Sequence, residues 1–306
     1  MSTTNTNAIR PLRTRELYAP SHFGNTYEAT LPGEMTGLLA EAKFWGFNRF
    51  CDWFDTIDLY NVYEKRHNLF NMPEAMWARK FANFECAAAQ GLGLGLVVTP
   101  NHVFSGQVTP ATEARKEPNM FGQLVCPSRP GVTEMILENY RRLFGDFAAR
   151  GLRLESLSGG AYDYGGCACE QCRPWIVAFG KLFKQVAELG REFFGPMEVE
   201  LWGWWWTDDD HRAFSEWADA QAPGFFQAMA YHLPYGVTDY AVRPIPAGCA
   251  EKRPLSISRT ARRAVAMRTV TTAPTSRRCV SKKRFDTCLR AGPRDSWPTR
   301  KEIMTI

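Results

Sequence analysis

The sequence contains no run of about 18 apolar residues, the length that a helix needs to cross a bilayer. It also has no G-x-G-x-x-G after its first predicted strand and no P-loop, the glycine patterns that hold nucleotide phosphates. Its first segment, Met1 to Arg15, has no apolar stretch like that of an export signal. We therefore expect a cytoplasmic protein with no membrane partner, and a nucleotide-binding sheet is disfavoured.

The positive net charge of the chain comes from its last part alone. Residues 243–306 hold 12 Arg and 4 Lys against 2 Asp and 2 Glu, a net charge of +12, whereas the other 242 residues carry −7. A nucleic acid would therefore have to bind through this tail, in which only two aromatic residues, Phe285 and Trp297, stand among the basic ones. We do not expect a nucleic-acid partner.

Strand-like and helix-like segments alternate through the body of the chain. The predicted strands are 16–23, 46–54, 92–99, 152–157, 197–204 and 225–232, and the predicted helices are 31–45, 73–90, 132–150, 174–194 and 211–221. This alternation is typical of a parallel α/β sheet. Long segments after two strands, 55–72 and 101–131, favour a (β/α)8 TIM-type barrel over a doubly wound sheet. With about six βα units, the barrel is expected to be incomplete at the C-terminus.

The chain divides into three regions by composition. We expect a flexible N-terminus over 1–15, a βα-barrel domain over 16–240, and a basic tail over 241–306 in which no apolar period continues. Two explanations of the tail remain open. It is either disordered, or it is translated from a shifted reading frame, which would also account for the missing last strands.

Acidic, aromatic and amide side chains follow the predicted strands, at the end where such barrels place active sites. Asp52, Asp55 and Asp163 are the candidate catalytic carboxylates, because two carboxyls flanking a glycosidic bond can cleave it. The candidate sugar-contacting residues are Trp53, Asn101, His102, Tyr164, Trp205 and His232. The structural alternatives are ordinary ones: helix caps, turns and core positions. Asp208 to Asp210, for example, are expected to include the N-cap of a helix that starts near His211.

Three cysteines in C-x-C-x-x-C spacing follow the fourth predicted strand. Cys167, Cys169 and Cys172 could bind a structural zinc ion, with Cys126 as the best candidate for the fourth ligand. Reduced thiols packed in a tight loop, a disulfide and a redox role are the alternatives.

Two segments resemble a known family. They are Tyr-Asp-Tyr-Gly-Gly-Cys-Ala-Cys-Glu-Gln-Cys-Arg-Pro-Trp at 162–175 and Leu-Val-Cys-Pro-Ser-Arg-Pro at 124–130. Together they resemble barrel proteins related to glycoside hydrolases, in the broad neighbourhood of the β-hexosaminidases and α-glucuronidases, over roughly residues 16–235. The resemblance implies a barrel, a carbohydrate ligand and catalysis by carboxylates without a cofactor.

The resemblance also shows one departure. Such proteins typically carry Asp-Glu before Gly-Gly-Cys, and the Glu resembles the general acid of hexosaminidases. Here Asp163 matches the Asp, and Tyr164 stands where the Glu would be. A phenol has a reference pKa near 10 and is a weak proton donor at neutral pH. Three functions therefore stay open: a glycoside hydrolase acting on an oligosaccharide, a non-catalytic carbohydrate-binding barrel, and an inactive truncated hydrolase.

Overall fold

The computed structural model describes residues 13–18, 27, 30–54, 72–116, 124–161, 165–203, 206–232, 245–249 and 251–255. Strands and helices alternate along these residues. The strands are β1 Glu16–Tyr18, β2 Arg49–Trp53, β3 Gly93–Val98, β4 Leu154–Gly160, β5 Glu198–Gly203, β6 Ala228–His232 and β7 Glu251–Leu255. The helices are α1 Pro32–Phe44, α2 Met72–Ala89, α3 Val132–Ala149, α4 Trp175–Phe194 and α5 Asp208–Gln221.

The strands form one parallel sheet in which spatial order follows chain order from β1 to β7. Every neighbouring pair is parallel, as in the register Tyr18 with Cys51 and Trp202 with Ala230. A doubly wound sheet reverses its strand order part-way, whereas a (β/α)8 barrel does not. The predicted α/β barrel class is therefore confirmed, with no eighth strand among the residues that the structure describes.

Both faces of the sheet are covered. On the outer face, Phe50 of β2 packs on Phe84 of α2 with ring centroids 5.2 Å apart. On the inner face, Tyr18 of β1 meets Trp202 of β5 edge-on, with centroids 5.0 Å apart. Cys51 and Trp53 belong to this inner apolar cluster. Successive residues of a strand point to opposite faces, so residues 51 and 53 of β2 lie inside, and residues 50 and 52 face the helices.

Local capping chemistry sets the helix ends. Gly91 and Gly151, just beyond α2 and α3, have φ values of +72° and +69°, a conformation that glycine adopts without strain. Helix α5 begins at Asp208, three residues before the predicted start. Thr207 is the cap: its hydroxyl accepts a bond from the Asp210 N–H at 3.1 Å, and the Asp210 carboxylate accepts one from the Thr207 N–H at 2.9 Å. This capping box adds a turn that the apolar pattern alone does not predict.

Strand β4 runs three residues further than predicted, into a stretch that the sequence pattern indicated as loop. Gly159 is a strand position over which α4 passes closely: a Cβ there would lie 2.7 Å from the ring of Phe183. The glycine therefore permits close helix-to-sheet packing.

The structure also differs from the sequence prediction near both ends of the barrel domain. Within the segment predicted to be flexible, Arg13 and Arg15 are held by Asn48: the Asn48 side chain donates to the Arg13 carbonyl and accepts from the Arg15 N–H, each at 2.8 Å. Strand β7 lies inside the tail for which no regular structure was predicted, and it pairs with β6. A search of the described residues found no helix long and apolar enough to span a membrane.

Candidate functional site

The loop after β3 folds back on itself at the carboxyl end of the sheet. His102 bridges Leu124 and Glu113 bridges Val125, both in antiparallel fashion. The Val125 N–H also donates to the carbonyl of Asn101 at 3.0 Å. These contacts return the chain to the strand end and bring the next residue, Cys126, next to the loop that follows β4.

Two further hydrogen bonds join the loop after β3 to the loop after β4. The Asn101 side-chain amide donates to the Gly165 carbonyl at 3.3 Å. The Ala168 N–H donates to the Arg115 carbonyl at 2.8 Å. Gly165 and Ala168 are therefore held against the neighbouring loop.

The structure brings the four predicted metal-binding cysteines together. The Sγ atoms of Cys126, Cys167, Cys169 and Cys172 all lie within 4.8 Å of one another. Cys126 Sγ lies 3.7 Å from both Cys169 Sγ and Cys172 Sγ. A disulfide needs a separation near 2.05 Å, so the four thiols are free. Such a cluster could hold one metal ion.

The thiols influence one another's protonation. Burial raises the pKa of Cys126 to about 11, and a hydrogen bond with Cys167 acts in the same direction. Burial also raises the pKa of Cys172. Burial alone would raise the pKa of Cys169 as well, but hydrogen bonds from Cys167 and Cys172 lower it to about 7. Cys169 therefore ionises more readily than Cys126 and Cys172.

Asp52 lies on the outer side of β2, facing the helices, and is fully buried. One carboxylate oxygen accepts from the Trp53 N–H at 2.6 Å and lies 3.6 Å from Nζ of Lys80 on α2. Lys80 also donates to the Trp53 carbonyl at 2.6 Å. These contacts give Asp52 a structural part between β2 and α2. Its catalytic role stays a prediction.

Three predicted sugar-contacting residues are buried in the structure. Trp53 is completely covered inside the sheet, so its ring has no exposed face for a sugar to stack on. His102 faces the layer between α2 and α3, where it lines a cavity of about 20 Å³ with Trp77, Phe104 and Asn139. Asn101 is also buried, and its amide holds the neighbouring loop.

The other predicted residues cannot be placed at the level of side chains. Asp55, Asp163, Tyr164 and Trp205 lie outside the described residues. The backbone of His232 ends strand β6, but its side chain is not described. Their roles in substrate binding or catalysis remain predictions.

A polar network inside the sheet was not among the predicted site residues. Arg49 lies 3.4 Å from Glu16 and 3.1 Å from Glu198 near the amino ends of the strands. Further along β5, the Ser158 hydroxyl donates to the buried carboxylate of Glu200 at 3.5 Å. The signal in the sequence is the alternation of Glu198, Glu200 and Trp202, which places all three on the inner face of β5. Trp202 is nearer the carboxyl end, so Glu200 lies beneath an aromatic layer.

The fold and site define a (β/α)8-type barrel protein in which four cysteines from two neighbouring loops lie together. No family model matches the sequence, and no curated protein matches it. The assignment of the fold therefore comes from the strand order of this chain.

Several solved structures are distantly similar. The catalytic domain of a beta-amylase from Paenibacillus polymyxa is 8% identical with a TM-score of 0.48, and the match covers 76% of this chain and 80% of that domain. A GH5_18 protein from Streptomyces cattleya, in complex with Manb1-4GlcNAc, is 13% identical with a TM-score of 0.43, covering 72% and 51%. The GH20 catalytic modules of the pneumococcal exo-beta-D-N-acetylglucosaminidase StrH are 9% identical with a TM-score of 0.39, covering 57% and 50%.

The match thus spans about half the length of the Streptomyces and pneumococcal proteins. TM-scores below 0.5 at these identities do not assign a function to this chain, since one barrel fold carries many chemistries.

Proposed function

We propose that this protein is a glycoside hydrolase of the barrel type that acts on an oligosaccharide through carboxylate acid/base catalysis. The observation that carries the proposal is the junction of the loops after β3 and β4, where the Asn101 amide is bonded to the Gly165 carbonyl. Gly165 thus lies at the carboxyl end of a parallel barrel, where such enzymes place their reacting groups, and Asp163 and Tyr164 precede it in the sequence by two residues and one residue.

Asp163 is the proposed catalytic carboxylate of this loop, as an acid/base group or as a group that positions the substrate. Asp55 is the preferred second carboxylate, because Asp52 is already paired with Lys80. Tyr164, Trp205 and His232 are proposed to contact the sugar. Hydrolysis by two carboxyls requires no cofactor, and the cysteine cluster has only a structural part in this reaction.

The test is turnover of a panel of aryl glycosides and plant or host glycans by the wild-type chain and by Asp163→Asn and Asp55→Asn. The matched control is Asp209→Asn, since the Asp209 side chain is 87% exposed on α5 and is not among the proposed catalytic or sugar-contacting residues. We expect the first two variants to lose turnover by at least a hundredfold and the control to keep it.

Two results would remove the enzymatic proposal. One is the absence of product from every glycoside of the panel with the wild-type chain. The other is turnover in Asp163→Asn that equals turnover in Asp209→Asn, because it would place the chemistry on other residues.

A non-catalytic carbohydrate-binding barrel is the second candidate. Two features favour it. Tyr164 stands where the proteins that the sequence resembles carry a Glu, and Asp52, one of the three candidate carboxylates, is paired with Lys80. Calorimetric titration with the same glycans separates the two functions. Saturable binding without product would support the second candidate. The absence of both binding and product would contradict both candidates.

A further inference from the structure

The four cysteines are arranged with the spacing of a mononuclear metal site. Zinc binds thiolates at about 2.3 Å, so neighbouring sulfur atoms around a tetrahedral ion stand about 3.8 Å apart. Cys126 Sγ lies 3.7 Å from Cys169 Sγ and from Cys172 Sγ. With all four sulfur atoms within 4.8 Å of one another, an ion at their centre requires only small side-chain adjustments.

Hydrogen-bond donors surround the sulfur atoms. The backbone N–H of Ser128 bonds to the Cys126 sulfur, and that of Cys172 bonds to the Cys169 sulfur. The Ser128 hydroxyl lies 3.0 Å from Cys172 Sγ. Donors in these positions stabilise thiolates, the form in which cysteine binds metal.

The ligand set decides the class of metal. Four soft thiolates favour zinc over the hard cations Mg²⁺ and Ca²⁺, which require oxygen ligands. In a cubane iron–sulfur cluster each cysteine binds a different iron atom, which would spread the sulfur atoms more widely than here. Four protein ligands leave no open position for a water or a substrate, and this is typical of a structural zinc site.

We propose that Cys126, Cys167, Cys169 and Cys172 bind one zinc ion that fastens the loop after β3 to the loop after β4. Cys126 supplies the only ligand from the first loop, and the other three come from the second. The ion acts between the same two loops as the Asn101–Gly165 and Ala168–Arg115 hydrogen bonds. This inference goes beyond glycoside hydrolysis and does not depend on it.

The first test is elemental analysis of the full chain, purified without chelator, by inductively coupled plasma mass spectrometry. We expect one zinc per chain in the wild type and only background in Cys126→Ser and Cys169→Ser. Cys86→Ser is the matched control, because Cys86 lies on α2 and is bonded to Thr36 outside the cluster. It is expected to keep its zinc.

A second measurement uses the wild type alone, in case the variants do not fold. Replacement of zinc by Co²⁺ should give the sulfur-to-cobalt charge-transfer bands and strong visible bands of a tetrahedral thiolate site. Iron in place of zinc, a disulfide within the four cysteines, or octahedral cobalt bands would overturn the proposal. Undiminished zinc in both cysteine variants of the cluster would do the same.

The fastening of the loops has its own test, amide hydrogen exchange of the full chain before and after zinc removal. Peptides from 105–116 and 165–172 are expected to exchange faster without zinc, whereas peptides from β5 and α5 should be unchanged. Two outcomes would contradict a zinc ion that acts between these loops: equally faster exchange in all four regions, or unchanged exchange in all four.

Discussion

At the scale of single residues, the contact between Asp52 and Lys80 makes it possible to test whether Asp52 has a structural or a catalytic role. Both side chains are buried, and the lysine is shared between the Asp52 carboxylate and the Trp53 carbonyl. A buried charge that loses its partner is costly, because neither water nor another ion replaces the lost contact.

We therefore predict that Asp52→Asn and Lys80→Met each lower the free energy of unfolding by about 3–5 kcal/mol. The double variant should lose less than the sum of the two, because each single change leaves the other group without its ion-pair partner. Urea unfolding of the four proteins measures this. Loss of glycan turnover in Asp52→Asn with unchanged stability would instead indicate a catalytic part for Asp52.

The Ser128 hydroxyl provides a second prediction for a single residue. It lies 3.0 Å from Cys172 Sγ, outside the proposed ligand set. Removing a hydrogen bond to a metal ligand typically weakens metal binding about 10–100-fold. Ser128→Ala should therefore keep one zinc per chain. It should release that zinc at a chelator concentration about 10–100-fold lower than the wild type requires. Ser105→Ala, in the same long loop, is the control, and equal zinc affinity in both variants would contradict the predicted role of the hydroxyl.

At the scale of elements, the packing of α4 on α5 depends on a small residue. A Cβ at Gly180 of α4 would lie 2.8 Å from Phe214 and 3.0 Å from Trp217, both on α5. Gly37 of α1 offers the comparison, because a Cβ there would meet no atom within 4 Å. Both glycines lie inside helices, where alanine is intrinsically preferred by about 1 kcal/mol.

The two glycines should therefore respond to the same substitution with opposite signs. We predict that Gly180→Ala lowers the free energy of unfolding by about 1–3 kcal/mol, because the helices must separate or the rings must move. Gly37→Ala should raise it by about 0.4–1 kcal/mol, because the unfolded chain loses freedom. Thermal and urea unfolding of both variants test this, and stabilisation by Gly180→Ala would mean that the helix interface adapts freely.

At the scale of the whole molecule, the sheet is open between β1 and β7 in the part of the chain that the structure describes. Phe44 and Trp45, at the end of α1, are 80% and 52% exposed, which is unusual for large apolar side chains. In a closed barrel the first helix lies beside the last one in the outer ring. We therefore expect a final βα unit to pack near the exposed apolar end of α1.

We predict that the coding DNA beyond β7, after about codon 255, contains another reading frame that continues the strand-and-helix pattern. The measurement is resequencing of this region and translation in all three frames. A chain carrying that continuation should bury Phe44 and Trp45. Fluorescence quenching would test this, because Trp45 should be better protected from the quencher than in the present chain. The absence of such a frame would contradict the prediction and leave the basic tail as a genuine part of the protein.

Much of the fold could be predicted because its signals are local. The apolar period of α4 and the glycines after α2 and α3 act within a few residues, and the observed elements agree closely with them. The predicted end of β4 was wrong by three residues, because the strand continues through Gly159, where Phe183 of α4 packs against the backbone. It was also inaccurate at the start of α5, where a capping box extends the helix.

The sequence by itself determined the alternating elements, the parallel barrel class and the grouping of Cys167, Cys169 and Cys172, since periodicity, capping and residue chemistry are written into short segments. Only the tertiary structure decided which face of β2 each residue takes. Both faces of that strand are buried, so the sequence pattern alone does not separate Asp52 on the helix side from Trp53 inside. The tertiary structure likewise decided that Cys126 reaches the other three cysteines, because the loop after β3 folds back through the His102–Leu124 bridge before it meets the next loop.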